Sequence, residues 1–268
     1  MSNTVAVVTG AAGGIGAAVS QRLLESGASV MLTDVRADAL ERTAVTLGEV
    51  HEGRLRWRPA DCAVDRDLSA VLADAASLGP VTMYVANAGV FVGFGLGAAD
   101  ALWSQSWDVN VMAHVRAARQ LIPGWLERGA GTWVTTASAA GLLTQLGSPT
   151  YSVTKHAAVA FAEWLRVTYG DRGIAVTCLC PMGVNTQMLR DGADSPDPAQ
   201  REAARAVLQS APALEPLEVA DVLLEAVGRG EFLALPHPEV LDFFRRKSGD
   251  YDRWLAGMQR HRRSLDGP

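Results

Sequence analysis

The sequence predicts an α/β fold, a doubly wound, seven-stranded parallel sheet with helices on both faces. Three observations predict it. Apolar runs of strand length alternate with helical patterns along most of the chain, which calls for right-handed crossovers and a sheet covered on both sides. The first run, Val5–Thr9, opens directly into Gly10-Ala-Ala-Gly13-Gly14-Ile15-Gly16, and a helix follows. The second run ends on Asp34, eighteen positions after Gly16. Ligands of such folds sit beyond the carboxyl ends of the strands.

The elements follow in order. The helix after the glycine loop runs through Val19, Leu23 and Leu24 and stops at Gly27, a residue suited to the C-terminal end. Ser29–Asp34 is the second strand, 37–47 a helix and Leu55–Pro59 the third strand. A helix at about 65–78 leads to a strand at 81–85. Helices near 99–105 and 107–128 lead to a strand at 132–137. The next helix begins at Pro149, because proline suits the first helical position. Ile174–Leu179 is the sixth strand, a helix spans about 217–228, and 232–235 is the seventh strand. Residues 191–199, rich in Asp, Pro and Gly, read as an exposed loop within a substrate loop at about 187–213.

No internal repeat, low-complexity tract or interdomain linker interrupts this pattern. The core is expected over residues 1–238, with a helical extension of the same domain over 239–268. In the extension Val240, Leu241, Phe243 and Phe244, then Tyr251, Trp254, Leu255 and Met258, recur at spacings near three and four. Arg245, Arg246, Lys247 and Arg253 lie between them, the pattern of an amphipathic helix pair. Pro236 and Pro238 stiffen its start. The pair either packs on its own subunit or reaches the substrate cleft or a neighbouring subunit, with Trp254 or Tyr251 near a pocket mouth.

Bulk properties exclude several classes. A chain of 268 residues, 49% hydrophobic, accommodates one large core. A net charge of −5 gives no reason to expect nucleic acid or an anionic membrane surface. No basic N-terminal region leads into an apolar signal core, and no apolar run approaches the ~20 residues of a membrane span. Of the three cysteines, Cys178 and Cys180 stand two apart in an apolar strand, which makes neither a disulfide framework nor a metal site. A cytoplasmic protein with reduced core thiols is expected.

The glycine loop has the features of a dinucleotide site. Gly10 permits the tight turn, Gly14 lets the backbone approach a pyrophosphate, and Gly16 allows close helix–strand packing. The helix N-terminus supplies N–H donors for phosphate. Asp34 falls where a carboxylate accepts hydrogen bonds from an adenosine ribose. A 2′-phosphate would meet that carboxylate, and Ala11 and Ala12 bring no cation, so NAD is preferred over NADP. Arg36 is read as a solvated residue at a helix start, with an inward turn as the alternative.

Residues 138–155 carry the second constellation. Tyr151 and Lys155 are i and i+4 on one helix face, with Cβ atoms roughly 5–6 Å apart. That spacing alone is common on ordinary helix surfaces. A phenol of pKa ~10 is scarcely ionised at neutral pH, and an ammonium within about 4–6 Å favours the phenolate. Such a phenol can exchange a proton with an alcohol or carbonyl oxygen. Ser138, after the strand-like run from Thr132, can hold the same oxygen.

In order and spacing these motifs resemble the short-chain dehydrogenases/reductases. Thr9-Gly10-x-x-x-Gly14-Ile15-Gly16 is similar to the family's glycine signature and Asn87-Ala88-Gly89 to its motif after the fourth strand. Ser138 with Tyr151-x-x-x-Lys155 is similar to its active site, and Asn110 sits where its fourth catalytic residue lies. Pro181-Met-Gly183-Val184-Asn-Thr186 is similar to its segment under the nicotinamide carboxamide. The resemblance spans about residues 4–236. Ala86 stands where a second Asn is frequent, and Thr135-Thr136 where Asn or Ser often does.

The resemblance implies a Rossmann fold and a set of roles. Tyr151 is the expected acid/base, Ser138 orients the substrate oxygen, and Lys155 lowers the tyrosine pKa and binds the nicotinamide ribose. Asn110 is expected to hold a water linking Lys155 to solvent. Asp61 and Cys62 are expected at the adenine, Asn87, Ala88 and Gly89 along the adenosine, and Pro181, Gly183, Val184 and Thr186 by the carboxamide. A homotetramer or homodimer is implied, and Trp125, Phe161, Trp164 and Leu165 offer surplus apolar surface for a helix-to-helix contact. His114 and His156 are read as surface or satisfied core histidines. His237 is read mainly as bland, with an approach to the pocket mouth as the sharper option.

The expected substrate wall holds Leu142, Leu143 and Gln145, with Met188 beyond Thr186. An apolar wall with one amide suits a hydrophobic secondary alcohol or ketone. Three functions compete. The first is an NAD-dependent alcohol dehydrogenase. The second is an NADPH-dependent biosynthetic ketoreductase on carrier-bound acyl groups, against which the acidic stretch Asp191, Asp194, Asp197 argues. The third is a non-catalytic NAD-sensing protein, which would be expected to lose Tyr151, Lys155 or Ser138.

Overall fold

The computed structural model describes residues 3–265. Residues 1, 2 and 266–268, the outer ends of the expected core and extension, lie outside the described residues. Seven strands form one sheet: β1 (Val5–Thr9), β2 (Ser29–Asp34), β3 (Leu55–Pro59), β4 (Met83–Ala86), β5 (Gly131–Thr136), β6 (Ile174–Leu179) and β7 (Leu233–Ala234). Their order is β3-β2-β1-β4-β5-β6-β7, with every neighbouring pair parallel. The direction of winding reverses between β1 and β4, and the chain parts at their carboxyl ends.

Burial explains the composition of the strands. β1 and β4 lie at the centre and every residue of both is buried, so each reads as an unbroken apolar run. β3 is an edge strand, and its Arg56, Trp57 and Pro59 are exposed. A proline is tolerated there because one side of an edge strand has no ladder to donate to.

Helices cover both faces. On one lie α1 (Gly14–Glu25), α2 (Ala37–Gly48) and α9 (Pro216–Arg229), which bury Val19, Leu23, Leu40 and Leu223 against the sheet. On the other lie α3 (Asp65–Ala75), α5 (Ala113–Arg128) and α6 (Pro149–Tyr169), contributing Leu68, Leu121, Trp125 and Leu165. Trp125 and Leu165 are therefore core residues rather than surplus surface. Trp164 and Val167 of α6 are exposed instead.

The helices expected near 99–105 and 107–128 form one continuous run. α4 (Asp100–Trp107) passes through a π-helical turn, Asp108–Met112, into α5. The expected loop at 191–199 shortens to 194–197, its ends taken up by α7 (Gln187–Ala193) and α8 (Pro198–Ser210). Asp197-Pro198 reads as a turn by composition. Here Asp197 caps α8, its carboxylate accepting from Ala199 N at 2.9 Å, and Pro198 takes the first helical position. The extension forms the expected helix pair, α10 (Glu239–Gly249) and α11 (Tyr251–Leu265).

Trp125 locks α5 to the sheet. Its ring is fully buried, its indole N–H donates to Val81 O at 2.8 Å, and a Cβ on Gly131 would lie 2.3 Å from the ring. Trp125→Ala is expected to cost about 3–5 kcal/mol. The measurement is the urea midpoint, and an unchanged midpoint contradicts this account.

Candidate active site

A cleft of about 1450 Å³ opens along the carboxyl ends of the strands. Its floor begins at the glycine loop. Gly10 and Gly14 hold positive φ, 66° and 55°. A Cβ on Gly14 would lie 2.9 Å from Thr186 Cγ2, and one on Gly16 only 2.2 Å from Gly10 O. Gly16 thus lies beneath the loop rather than on the cleft wall, where α1 meets β1. No side chain caps the N-terminus of α1, so its first N–H groups are free to receive an anion. These features fit a dinucleotide pyrophosphate.

The loop is braced by Asn87. Its Nδ2 donates to Thr9 O at 2.9 Å and Gly10 O at 3.3 Å, while Thr9 Oγ1 accepts from the N–H groups of Asn87 and Ala88, both at 2.9 Å. Asp34, 8% exposed, accepts from Ala12 N at 3.1 Å. Arg36 is not simply solvated. It turns inward, its backbone N–H donating to Asp34 Oδ1 at 3.0 Å and its Nε to the same oxygen at 3.2 Å. A buried carboxylate two residues away outcompetes water for the guanidinium. Asp61, Cys62 and Ala88 also line the cleft, whereas Gly89 lies toward Lys155 at its other end. Burial pushes the Cys62 thiol up to about 12, so it contributes shape and no charge.

At the other end the catalytic candidates converge. Ser148 caps α6, accepting from Tyr151 N at 3.4 Å, and Pro149 opens the helix. Thr150 and Ser148 each donate to Gly93 O at 3.1 Å, and Thr150 also to Val92 O, which ties the helix start to the segment after β4. The ring of Phe91 meets Tyr151 edge-on at 4.8 Å between centroids. Lys155 Nζ lies 5.5 Å from the Tyr151 ring centroid and donates to Thr136 O at 2.9 Å. Ser138 Oγ accepts from Ala140 N at 3.1 Å, makes a long contact, 3.4 Å, to Pro181 O, and is within reach of the Tyr151 phenol. Its hydroxyl hydrogen can turn toward a guest.

The electrostatics differ from the expectation. Burial pushes the Tyr151 phenol up to about 12, with the Ser138 hydrogen bond pulling it down less strongly. Burial pushes the Lys155 ammonium down to about 8, the neighbouring thiols Cys178 and Cys180 opposing. Burial is the largest influence on both groups, and it acts against the charged form of each.

Asn110 sits behind the cleft, fully buried in the π-helical turn. Its Oδ1 accepts from Val90 N at 2.9 Å, and its Nδ2 donates to Val90 O at 3.1 Å and Thr154 Oγ1 at 3.0 Å. A Cβ on Gly89 would lie 3.2 Å from Asn110 Oδ1 and 3.4 Å from Lys155 Nζ, so the two polar heads flank one spot. His114 is buried but unsatisfied, with no partner for either ring nitrogen among the described residues, and burial pushes it down to about 3.

Pro181, Gly183, Val184 and Thr186 form the wall facing the glycine loop. Asn185 N donates to Leu214 O at 2.8 Å and Met182 N to His237 Nδ1 at 3.2 Å. His237 is buried and braces this wall from behind rather than facing the mouth. Among the expected substrate contacts Leu143, Gln145 and Met188 line the cleft. Leu142 does not, because its side chain is packed into the core. Phe91, Met182 and Val207 also line the cleft; sequence reasoning did not single them out, although Met182 stands within the 181–186 motif and Val207 within the expected substrate loop.

Comparisons with known proteins bear on the fold and the family. The family model described as short chain dehydrogenase matches residues 4–196. The 1-deoxy-11-beta-hydroxypentalenate dehydrogenase of Streptomyces exfoliatus is 37% identical over 200 residues, 71% of this chain and 70% of that protein. A short chain dehydrogenase/reductase from Burkholderia phymatum, solved in complex with NAD, superposes with a TM-score of 0.84 at 29% identity, covering 93% of this chain and 94% of that one. A single-residue variant of actinorhodin polyketide ketoreductase, solved with NADPH, gives 0.76 at 29% identity, covering 87% and 94%.

The chain has two lysines, Lys155 and Lys247. NMR of lysine-labelled protein is expected to show two Cε resonances. The one removed by Lys155→Met should titrate near pH 8, below the ordinary lysine value of ~10.4. A midpoint above pH 10 contradicts the account of burial at this site.

Proposed function

The chain belongs to the short-chain dehydrogenase/reductase family, and from that premise we propose that it is an NAD-dependent dehydrogenase interconverting a hydrophobic secondary alcohol and its ketone. Action on a hydroxyl or keto group follows from the family. The finer reading is carried by one observation: Ser138, Tyr151 and Lys155 meet at one end of a cleft whose other end holds Asp34.

The residues described would hold the cofactor as follows. The N-terminus of α1 would take the pyrophosphate, Asp34 the adenosine ribose, Asp61 and Cys62 the adenine, and Val184 and Thr186 the carboxamide. Bound there, NAD supplies the hydride chemistry. The chain's own residues handle the proton. Ser138 donates to the substrate oxygen and fixes its place beside the Tyr151 hydroxyl. Tyr151 passes its proton to that oxygen in reduction and takes it back in oxidation. Lys155, cationic below about pH 8, supplies positive charge beside the phenol ring. Asn110 would hold a water between Lys155 and solvent, a role supported by its Oδ1 and Lys155 Nζ flanking the same spot beside Gly89.

Leu143, Met188 and Phe91 support an apolar substrate, and the hydroxypentalenate relative supports a hydroxylated one. Arg36 and Arg42 at the adenosine end favour a second reading, an NADPH-dependent ketoreductase. The Asp34 carboxylate supports NAD, since a 2′-phosphate would sit against it. The reading includes a homodimer or homotetramer, supported by the exposed Trp107, Val153, Trp164 and Val167. It also places the protein in the cytoplasm, supported by the free, buried cysteines. No helix among the described residues is long and apolar enough to cross a membrane.

Tyr151→Phe keeps the ring and removes the proton carrier. Turnover should fall by at least ~10²–10⁴ while NAD affinity holds. Near wild-type turnover on any secondary alcohol the protein oxidises would sink the mechanism.

Cofactor choice has its own test. Asp34→Ala should weaken NAD by about 1.5–3 kcal/mol, the usual worth of hydrogen bonds to a charged group. It also frees Arg36 for a 2′-phosphate. Titration calorimetry with both nucleotides decides, and a wild-type preference for NADP overturns the assignment.

A further inference from the structure

Of the 24 lysines and arginines, only Lys155 and Lys247 are lysines. Both are buried, at 3% and 6% exposure, while the chain's solvent-facing cations are arginines. Lys155 belongs to the catalytic end of the cleft. Lys247, on α10, has no assigned part.

Its surroundings are specific. Lys247 Nζ donates to Leu142 O and Leu143 O, both at 2.8 Å, across more than a hundred residues of sequence. It also lies 3.4 Å from His156 Nε2, and 5.6 Å from the Tyr251 ring centroid. His156 Nδ1 is 2.8 Å from Ser152 O. A carbonyl only accepts and an ammonium only donates, so these partners match the tautomer with the hydrogen on Nδ1 and Nε2 as acceptor. The ammonium therefore meets three acceptors with its three N–H groups, and no carboxylate is within ion-pair range of it among the described residues. Leu142 and Leu143 lie between Ser138 and Tyr151, and His156 follows Lys155. One side chain of the extension thus grips both the substrate wall and the catalytic helix.

The rest of the extension completes an enclosure. Phe243, Trp254, Met258 and His261 line the cleft from α10 and α11. Asp250 caps α11, accepting from Arg253 N at 3.0 Å, which fixes the angle between the helices. The far end of α11 buries Leu265 and packs on α8. Trp254 Nε1 is buried without an acceptor among the described residues, while the residue itself contributes to the cleft lining.

We propose that Lys247 is a positioning residue that holds the wall at Leu142 and Leu143, and that through it α10 and α11 form a roof that selects large substrates. This rests on the dehydrogenase reading for its kinetic consequence alone. Without Lys247 two buried carbonyls lose their donor, and the wall and roof separate. A small alcohol reaches Ser138 and Tyr151 without touching the roof, whereas a fused-ring alcohol must contact Leu143 on one side and Trp254 on the other.

The test uses the full-length protein with Lys247→Met, which keeps the length of the side chain and removes its donors. Hydrogen exchange read by mass spectrometry over residues 139–147 should accelerate about tenfold or more, with the strands unchanged. With NAD, KM for decahydro-2-naphthol should rise about tenfold or more at nearly constant kcat, while KM for propan-2-ol stays within about twofold. Trp254→Ala should raise KM for the large alcohol without altering exchange in 139–147. Unchanged exchange in Lys247→Met overturns the clamp, and equal effects on the two alcohols overturn the selection. If Lys247→Met does not fold, an unchanged KM ratio in Trp254→Ala overturns the roof. If the wild type oxidises neither alcohol, the dehydrogenase reading fails on these probes, and the exchange measurement still decides whether Lys247 holds the wall.

Discussion

The cleft exists because the chain parts between the carboxyl ends of β1 and β4, and the Asn87 amide holds the two sides of that parting together. Nδ2 binds the carbonyls of Thr9 and Gly10, and Thr9 returns its hydroxyl to the backbone of Asn87 and Ala88. Gly16 packs on Gly10 O at a distance no side chain permits. Loosen this joint and the first turn of α1 no longer points along the cleft. A helix N-terminus attracts an anion only over its first turn, so its direction decides whether a phosphate can be held.

The second organising feature is the burial of charge near the reacting end. Taking an ammonium out of water costs several kcal/mol, which good hydrogen bonds offset in part. Lys155 answers with Thr136 O and nearby thiols, and still titrates well below an ordinary lysine. The same burial holds the Tyr151 phenol protonated. A phenol and an ammonium that are both costly to ionise respond strongly to any further charge placed beside them. A dry, preorganised site gains its leverage in this way.

At the opposite end of the cleft Asp34 and Arg36 hold each other as an ion pair. The carboxylate is nearly buried and engages the backbone of the glycine loop, while the arginine reaches back to it with half of its side chain exposed. The guanidinium is the solvent-facing partner and the carboxylate the buried one.

Much of this was legible in the residues themselves. Strand and helix order, the glycine loop, Asp34, and the joint placement of Ser138, Tyr151 and Lys155 all follow from periodicity and short spacings, which are local properties of a chain. What the sequence hid is what depends on distance. Asp197-Pro198 reads as a break until α8 is seen to start there. Leu142 reads as pocket wall, yet a turn at residues 139–141 sends it into the core. His237 and Lys247 carry no local signal, because their partners lie 25 to 105 residues away in the chain. By itself the sequence determined which residues could do chemistry and on which elements they ride. Only the tertiary structure decided which groups lose their water and which carbonyls receive a buried ammonium, because desolvation and long-range hydrogen bonds are properties of the packed chain.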